Sequence, residues 1–269
     1  LMCMAKPLGP MVIDWGTEDA KPKLFPPRAA QYAVLVDRIA RTPRITEFVL
    51  RPLGEPMRFW PGQYLQLGDP GAGIPVRSYS LASAPRPDGE LKLQVTRAEA
   101  EDKDPLAGRT SRWLHDEVQL GDTLRFSGPH GTFIGDPAAD TPVLCLAAGS
   151  GLAPILSLTE AALRRGYKPP VTLMFSAREP ADLYDVGLMR YWALRYPNFR
   201  YLPTTTRVQA DGMLHGRITA ILGEHFPDLS GHSVFIAGTT SFVDDCVFKV
   251  KELGARPALI HTEGFFTQI

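Results

Sequence analysis

No stretch of this chain is apolar for long enough to cross a bilayer. The longest apolar run, residues 143–158, is broken by Gly149, Ser150, Gly151 and Pro154, whereas a membrane helix needs roughly 20 consecutive apolar residues. Membrane insertion is therefore not expected. Neither sign of charge is in excess: 29 Lys and Arg balance 29 Asp and Glu. That balance argues against a nucleic acid or an anionic membrane surface as the main partner. Cysteine is scarce, with 3 at scattered positions, and an odd, scattered set builds no disulfide framework. Leu1 to Lys6 lack the charged start and apolar core of a secretory signal. A reducing cytoplasm is the expected setting. Internal repeats and low-complexity tracts are absent.

What is present changes texture once along the chain. A length of 269 residues suits two domains. Pro7, Pro10, Pro22, Pro26 and Pro27 punctuate an extended connector with no sustained period. From Tyr32 onward come short segments, 32–36, 46–50, 63–67, 78–82, 91–95 and 123–126, several of which alternate apolar with polar in the period of half-buried strands. A six-stranded antiparallel barrel closes such strands without exposed edges. After Gly135-Asp136-Pro137 the strand-like runs 143–147 and 171–175 become nearly continuously apolar, as parallel strands covered on both faces require. Helical spacing over 156–165 lies between them. Further strands at 199–202, 233–237 and 258–261, with helices near 185–195, 217–222 and 241–253, complete a doubly wound α/β sheet. The expected division is a connector over 1–28, the barrel over 29–137 and the α/β domain over 138–269.

Two motifs carry chemistry. Gly149-Ser150-Gly151 follows a buried strand and precedes a helix, so backbone N–H groups and the helix dipole can meet a pyrophosphate. Pro154 stands where the usual fingerprint has its last glycine, and alone this loop is equally a plain strand-to-helix turn. The ribose ligand is ambiguous because Arg178 and Glu179 stand side by side, which leaves NADH and NADPH both open. Arg77-Ser78-Tyr79-Ser80 offers a phosphate donor, a flat aromatic and a small hydroxyl, the groups a flavin needs near its phosphate, ring and N5. On a strand, Arg77 and Tyr79 share a face and Ser80 takes the other; an ordinary exposed strand reads the same. Gly108-Arg109-Thr110-Ser111 opens a helix, where Ser111 can serve a phosphate or cap the helix.

In this order the motifs resemble the ferredoxin-NADP reductase superfamily, in particular the reductase components of bacterial aromatic-ring dioxygenases and related multicomponent oxygenases. The resemblance spans residues 30–266. It matches Arg77, Tyr79 and Ser80 to the family's R-x-Y-S/T strand and Gly108 with Ser111 to its G-x-x-S. It also matches 128–133 to a G-P-x-G-x-F turn, and Gly149-Ser150-Gly151 with Ala153-Pro154 to a loop in which proline is normal. FAD is expected in preference to FMN, since the 98–106 stretch leaves room for an adenine beside the pyrophosphate site, and the resemblance implies NADH in preference to NADPH. It adds Ser78, Val95 and Thr96 to the flavin set. Arg178, Thr206, Arg207, Gly238 and Thr239 join the nicotinamide set. Ser80 and Glu263 become candidate catalytic residues, with Phe265 or Phe266 covering the flavin or merely sealing the core. One departure stands out: Ala237 occupies the place of a family cysteine that faces the nicotinamide, while Cys246 reads as a buried helix residue.

Leu1 to Leu8 resembles the last strand of a plant-type ferredoxin, which makes Cys3 an orphaned fourth ligand of a two-iron two-sulfur cluster. A start at Leu fits a chain that has lost that domain. The implied activity is hydride transfer from NADH or NADPH to flavin, then single electrons to a ferredoxin domain or protein feeding an oxygenase component. The competing expectation is a flavin-holding relay subunit that does not itself oxidise nicotinamide.

Overall fold

The computed structural model describes residues 23–99, 106–136 and 138–265. Its first half is a six-stranded antiparallel sheet: β1 (Arg28–Ala40), β2 (Ile45–Pro52), β3 (Tyr64–Asp69), β4 (Ile74–Ser80), β5 (Leu91–Thr96) and β6 (Thr123–His130). The spatial order is β4-β3-β6-β1-β2-β5. The sheet curls until its ends meet, where Leu81 bridges Leu93 just past β4 and the Ala82 amide donates to the Lys92 carbonyl at 2.8 Å. Alternation sends Leu35, Phe48, Leu50, Leu65, Leu67, Leu93 and Phe126 inward, where they form one core. Each fully buried side chain of this kind stabilises the fold by about 1.5–3 kcal/mol. Helix α1 (Arg109–Asp116) contributes Leu114 to the same core.

The second half is a six-stranded parallel sheet. Its elements are β7 (Val143–Ala148), α2 (Leu152–Arg164), β8 (Val171–Ala177), α3 (Val186–Arg195), β9 (Phe199–Thr205), β10 (Leu214–His215), α4 (Ile218–His225), β11 (Ser233–Thr239), α5 (Thr240–Glu252) and β12 (Ile260–Phe265). The order is β10-β9-β8-β7-β11-β12. Cys145, Ala147, Leu173, Phe175, Phe235 and Ala237 fill one face of this sheet. Leu144, Leu146, Met174, Val234 and Ile236 fill the other. Both faces are dry, which is why these strands read as unbroken apolar runs. Among the described residues, no helix is long and apolar enough to cross a membrane.

Some element limits differ from the sequence reading. Helix α2 starts at Leu152, not near 156. Pro154 is its third residue, where the missing N–H would have had no intrahelical partner in any case. Strand β12 covers 260–265, shifted from 258–261 because Pro257–Leu259 form a 3-10 turn. The shift puts Glu263 and Phe265 on the strand. Strand β10, only two residues long, was below what periodicity can detect.

Cys246 is fully buried in the core on the sheet face opposite Ala237. It therefore cannot stand in for the cysteine missing at 237. Burial also pushes both described thiols, Cys145 and Cys246, up to about 12.

Candidate functional site at the junction of the two sheets

The parallel sheet changes direction at β7, which is flanked by β8 on one side and β11 on the other. Such a switch point opens a crevice beyond the carboxyl ends of the strands. Three chain segments emerge there side by side, because Ala147 pairs with Ala237, Ala237 with Glu263 and Gly238 with Gly264. Gly149 to Gly151 form one 3-10 turn that runs into α2. Gly149 has a φ of +55° and open space where a Cβ would sit. Gly151 is required for another reason: a Cβ there would lie 2.2 Å from the Ala237 carbonyl oxygen. Its smallness serves the contact with β11, so the loop glycines divide the labour between an open side and a packed side. Pro154 is buried behind them. Thr239 caps α5, its hydroxyl accepting from the Phe242 amide at 3.4 Å.

At the ends of β8 and β9 the backbone joins two predicted positions directly. The Arg207 amide donates to the Arg178 carbonyl at 2.9 Å and the Thr206 amide to the Ala177 carbonyl at 3.1 Å. Both arginines are exposed, and among the described residues neither has a carboxylate partner. Two neighbouring unpaired guanidinium groups suit a nucleotide phosphate or ribose edge.

On the barrel side, the burial of β4 alternates so that Arg77 and Tyr79 are half-buried while Val76 and Ser78 face solvent. Tyr79 rests on the barrel core. Arg77 has no carboxylate partner among the described residues, its one hydrogen bond going to the Val76 carbonyl at 2.9 Å. Gly108 has a φ of +63°, and a Cβ there would come within 2.3 Å of the Ala98 Cβ, so only glycine fits this turn. Ser111 is used locally: its hydroxyl donates to the Gly108 carbonyl at 2.9 Å and accepts from the Ala98 amide at 3.2 Å. Thr110 donates to the Pro75 carbonyl at 2.5 Å, tying α1 to β4. Their hydroxyls are engaged, but the Thr110 and Ser111 amides in the first helical turn have no acceptor among the described residues. The Arg109 guanidinium is held by Glu117, leaving its backbone as the part that faces the turn. Val95 and Thr96 end β5, and the Val95 carbonyl meets His115 Nε2 at 3.0 Å.

The two halves meet at Ser80. Its hydroxyl donates to Glu263 Oε1 at 2.8 Å, joining β4 to β12. The other carboxyl oxygen, Oε2, is buried without a partner among the described residues. Burial raises the Glu263 pKa to about 7, partly offset by the Ser80 hydrogen bond. Burial therefore favours the protonated form of this carboxyl, which lies beside Ser80 of β4. Phe265 is half-buried at the end of β12, whereas Phe266 and Cys3 lie outside the described residues.

Among the described residues, the open side of Gly149, the unused Thr110 and Ser111 amides, Arg77, Arg178 and Arg207 without carboxylate partners, and the Glu263 Oε2 acceptor form one set of available polar groups. It suits two phosphorylated cofactors meeting at Ser80. Ser157 was missed by sequence reasoning: it is fully buried on α2, donates to the Ser83 carbonyl at 2.8 Å and accepts from the Gly62 amide at 3.4 Å. A polar residue on the inner face of an apolar helix was its available signal. Glu160, one turn along, accepts from the Ala84 amide at 2.8 Å.

This fold and junction define a flavin- and nicotinamide-binding oxidoreductase. The model of the oxidoreductase FAD-binding domain matches residues 34–134 and that of the oxidoreductase NAD-binding domain matches residues 145–247. The reductase subunit of an aromatic O-demethylase from Amycolatopsis sp. is 33% identical over 98% of this chain and 77% of its own length. A ferredoxin–NAD(P)+ reductase component of naphthalene 1,2-dioxygenase/salicylate 5-hydroxylase systems from Ralstonia sp. is 32% identical over 80% of this chain. The present chain spans only 62% of that relative. Among solved structures, an Amycolatopsis cytochrome P450 reductase superposes with a TM-score of 0.83 at 30% identity, covering 92% of this chain and 73% of that one. A Neisseria gonorrhoeae ferredoxin NADP+ reductase with bound FAD and NADP has a TM-score of 0.73 at 25% identity, covering 89% and 100%. The chain belongs to the ferredoxin-NADP reductase-like family of FAD- and NAD-binding oxidoreductases, whose members include reductase components of aromatic dioxygenases and monooxygenases.

Proposed function

We propose that this chain takes a hydride from NADH, or from NADPH, and passes electrons singly to an iron-sulfur acceptor that feeds an oxygenase. The observation that carries the reading is the Ser80–Glu263 hydrogen bond, which joins the flavin strand to the nicotinamide sheet. A bound flavin supplies the chemistry of accepting an electron pair and releasing single electrons. Arg77 and the Thr110 and Ser111 amides bind its phosphates, Gly108 shapes their turn, Tyr79 lies along its ring, and Ser78, Val95 and Thr96 border it. Gly149, Ser150, Gly151, Gly238 and Thr239 frame the nicotinamide cofactor's pyrophosphate, while Arg178, Thr206 and Arg207 bind its adenosine part. Glu263 keeps a proton within one hydrogen bond of Ser80, where charge changes during the reaction. Domain limits at 29–137 and 138–269 follow from this assignment. The segment 1–28 is read as a connector that begins with a ferredoxin-like strand carrying Cys3. Two free buried cysteines, Cys145 and Cys246, agree with a cytoplasmic setting.

Rapid mixing of the FAD-loaded protein with NADH and with NADPH tests the reaction. Bleaching of the flavin band within the dead time or the first seconds is expected. Absence of bleaching with both nucleotides favours the relay reading. Iron analysis and the visible spectrum of the longer gene product test Cys3: a flavin-only spectrum without iron removes it as a cluster ligand.

A further inference from the structure

One polar cluster is buried between the two sheets and contains none of the cofactor motifs. Glu47 on β2 is 2% exposed and Gln94 on β5 is 5% exposed. Arg41, in the turn after β1, bonds Glu47 Oε1 at 3.0 Å and Asp185 Oδ1 at 3.1 Å. Gln94 Nε2 donates to Glu47 Oε2 at 3.2 Å and to Asp185 Oδ2 at 2.6 Å. Lys92 Nζ adds a second cation, 3.3 Å from Glu47. The two carboxylates are thus matched by two cations. Four of these residues belong to the barrel, and the fifth, Asp185, precedes α3 of the nicotinamide sheet.

Asp185 has a φ of +52°, a left-handed conformation in which aspartate is enriched among non-glycine residues. Its carboxylate is pinned by Arg41 and Gln94, so the barrel constrains this turn. The neighbouring residue carries the constraint onward. Tyr184 is 3% exposed, and its hydroxyl donates to the Gly149 carbonyl at 3.0 Å. The same carbonyl accepts from the Leu152 amide that starts α2. An unbroken set of bonds therefore runs from β5, through Asp185 and Tyr184, to the first residue of the phosphate loop. Buried ion pairs are weak stabilisers, since desolvation offsets most of their attraction, and geometric registration is a better-attested use.

Resting on the nicotinamide-to-flavin reading, we infer that Asp185 and Tyr184 are positioning residues: through them the flavin barrel fixes the peptide orientation of the loop that carries the nicotinamide cofactor. Misplacement of reacting atoms by about 1 Å can cost on the order of 100-fold in rate, so a loosened loop should slow hydride delivery more than it weakens nucleotide binding.

The test uses FAD-loaded protein and the variants Tyr184→Phe and Asp185→Asn. Both keep side-chain size, and asparagine tolerates the left-handed backbone. The limiting rate of flavin reduction by NADH should fall about tenfold or more in each. The apparent Kd for NADH should change by less than about threefold, with flavin content and the rate of reduction by dithionite unchanged. The double variant Arg41→Gln/Asp185→Asn should be no slower than Asp185→Asn, since both changes break one link. Without nicotinamide present, hydrogen exchange at the Leu152 amide should quicken in both single variants. Wild-type reduction rates and wild-type exchange would overturn the inference. A lowered Tm with unchanged reduction rates would also overturn it, leaving the cluster as a fastening alone. A wild-type protein that neither NADH nor NADPH reduces would overturn the underlying reading, and the inference with it.

Discussion

A carboxyl group that burial makes harder to ionise links stability to pH in a direction opposite to the common one. Glu263 titrates near 4.5 in a free chain and at about 7 in the fold because burial disfavours its charge. Between those values the unfolded chain has already released the proton that the folded chain retains, so stability falls as pH rises. Its contribution is full below about 4.5 and is gone above about 7, an amplitude of up to about 3 kcal/mol. Glu263→Gln should abolish that slope: the Tm difference between variant and wild type should grow in the variant's favour from pH 5 to pH 8 in a thermal scan. Flavin reduction by NADH should slow in the same variant, since the proton beside Ser80 is then fixed in place. Arg77 makes the complementary case, because its guanidinium has no carboxylate to neutralise it. Arg77→Ala should leave the stability of flavin-free protein within about 0.5 kcal/mol of wild type, because its guanidinium bonds only the adjacent Val76 carbonyl, yet purify with little flavin. Full flavin retention would remove Arg77 from the site.

At the scale of elements, the turn between β7 and α2 separates two uses of glycine. A methyl group on Gly151 would meet the backbone of Ala237 and Gly238 at 2.2–2.6 Å, and neither strand nor helix can yield without opening the core. Gly151→Ala should therefore cost about 1–3 kcal/mol and raise the Kd for NADH. Gly149→Ala meets open space and carries only the strain of its positive φ, about 1 kcal/mol. A denaturant titration that ranks Gly149→Ala as the more damaging would contradict the packing described for this turn. Much at this scale was legible in the sequence. Alternation in 32–36 announced a strand wet on one side, and the apolar runs 143–147 and 171–175 announced strands covered on both. The limits of β12 were not legible, because Ala258-Leu259 look like strand but are tied into the turn that Pro257 begins. Glu47 and Gln94 were hidden for a different reason. They occupy outward positions of strands β2 and β5, and only the other sheet, distant in sequence, makes those positions interior.

At the scale of the whole molecule, each half supplies part of the site. The residues proposed for flavin lie on the barrel except Glu263 and Phe265, which arrive from β12 of the other sheet. Flavin should consequently stabilise both halves as a unit. Added FAD at about 100 times its Kd should raise stability by roughly 2.7 kcal/mol, seen as a single shifted transition in calorimetry; a shift confined to one of two separate transitions would mean that the halves are not coupled through the site. The motifs in the sequence pointed to a flavin-binding and a nicotinamide-binding half, but not to how the halves hold one another. Part of that lies in Arg41, Gln94 and Asp185, whose bonds cross from one sheet to the other, with Glu47 holding Arg41 and Gln94 in place. These four residues also limit domain shuffling. A chimera that joins this barrel to a relative's nicotinamide sheet will conduct electrons poorly unless an acidic residue in a left-handed turn, followed by the first turn of a helix, comes with the graft to receive Arg41 and Gln94.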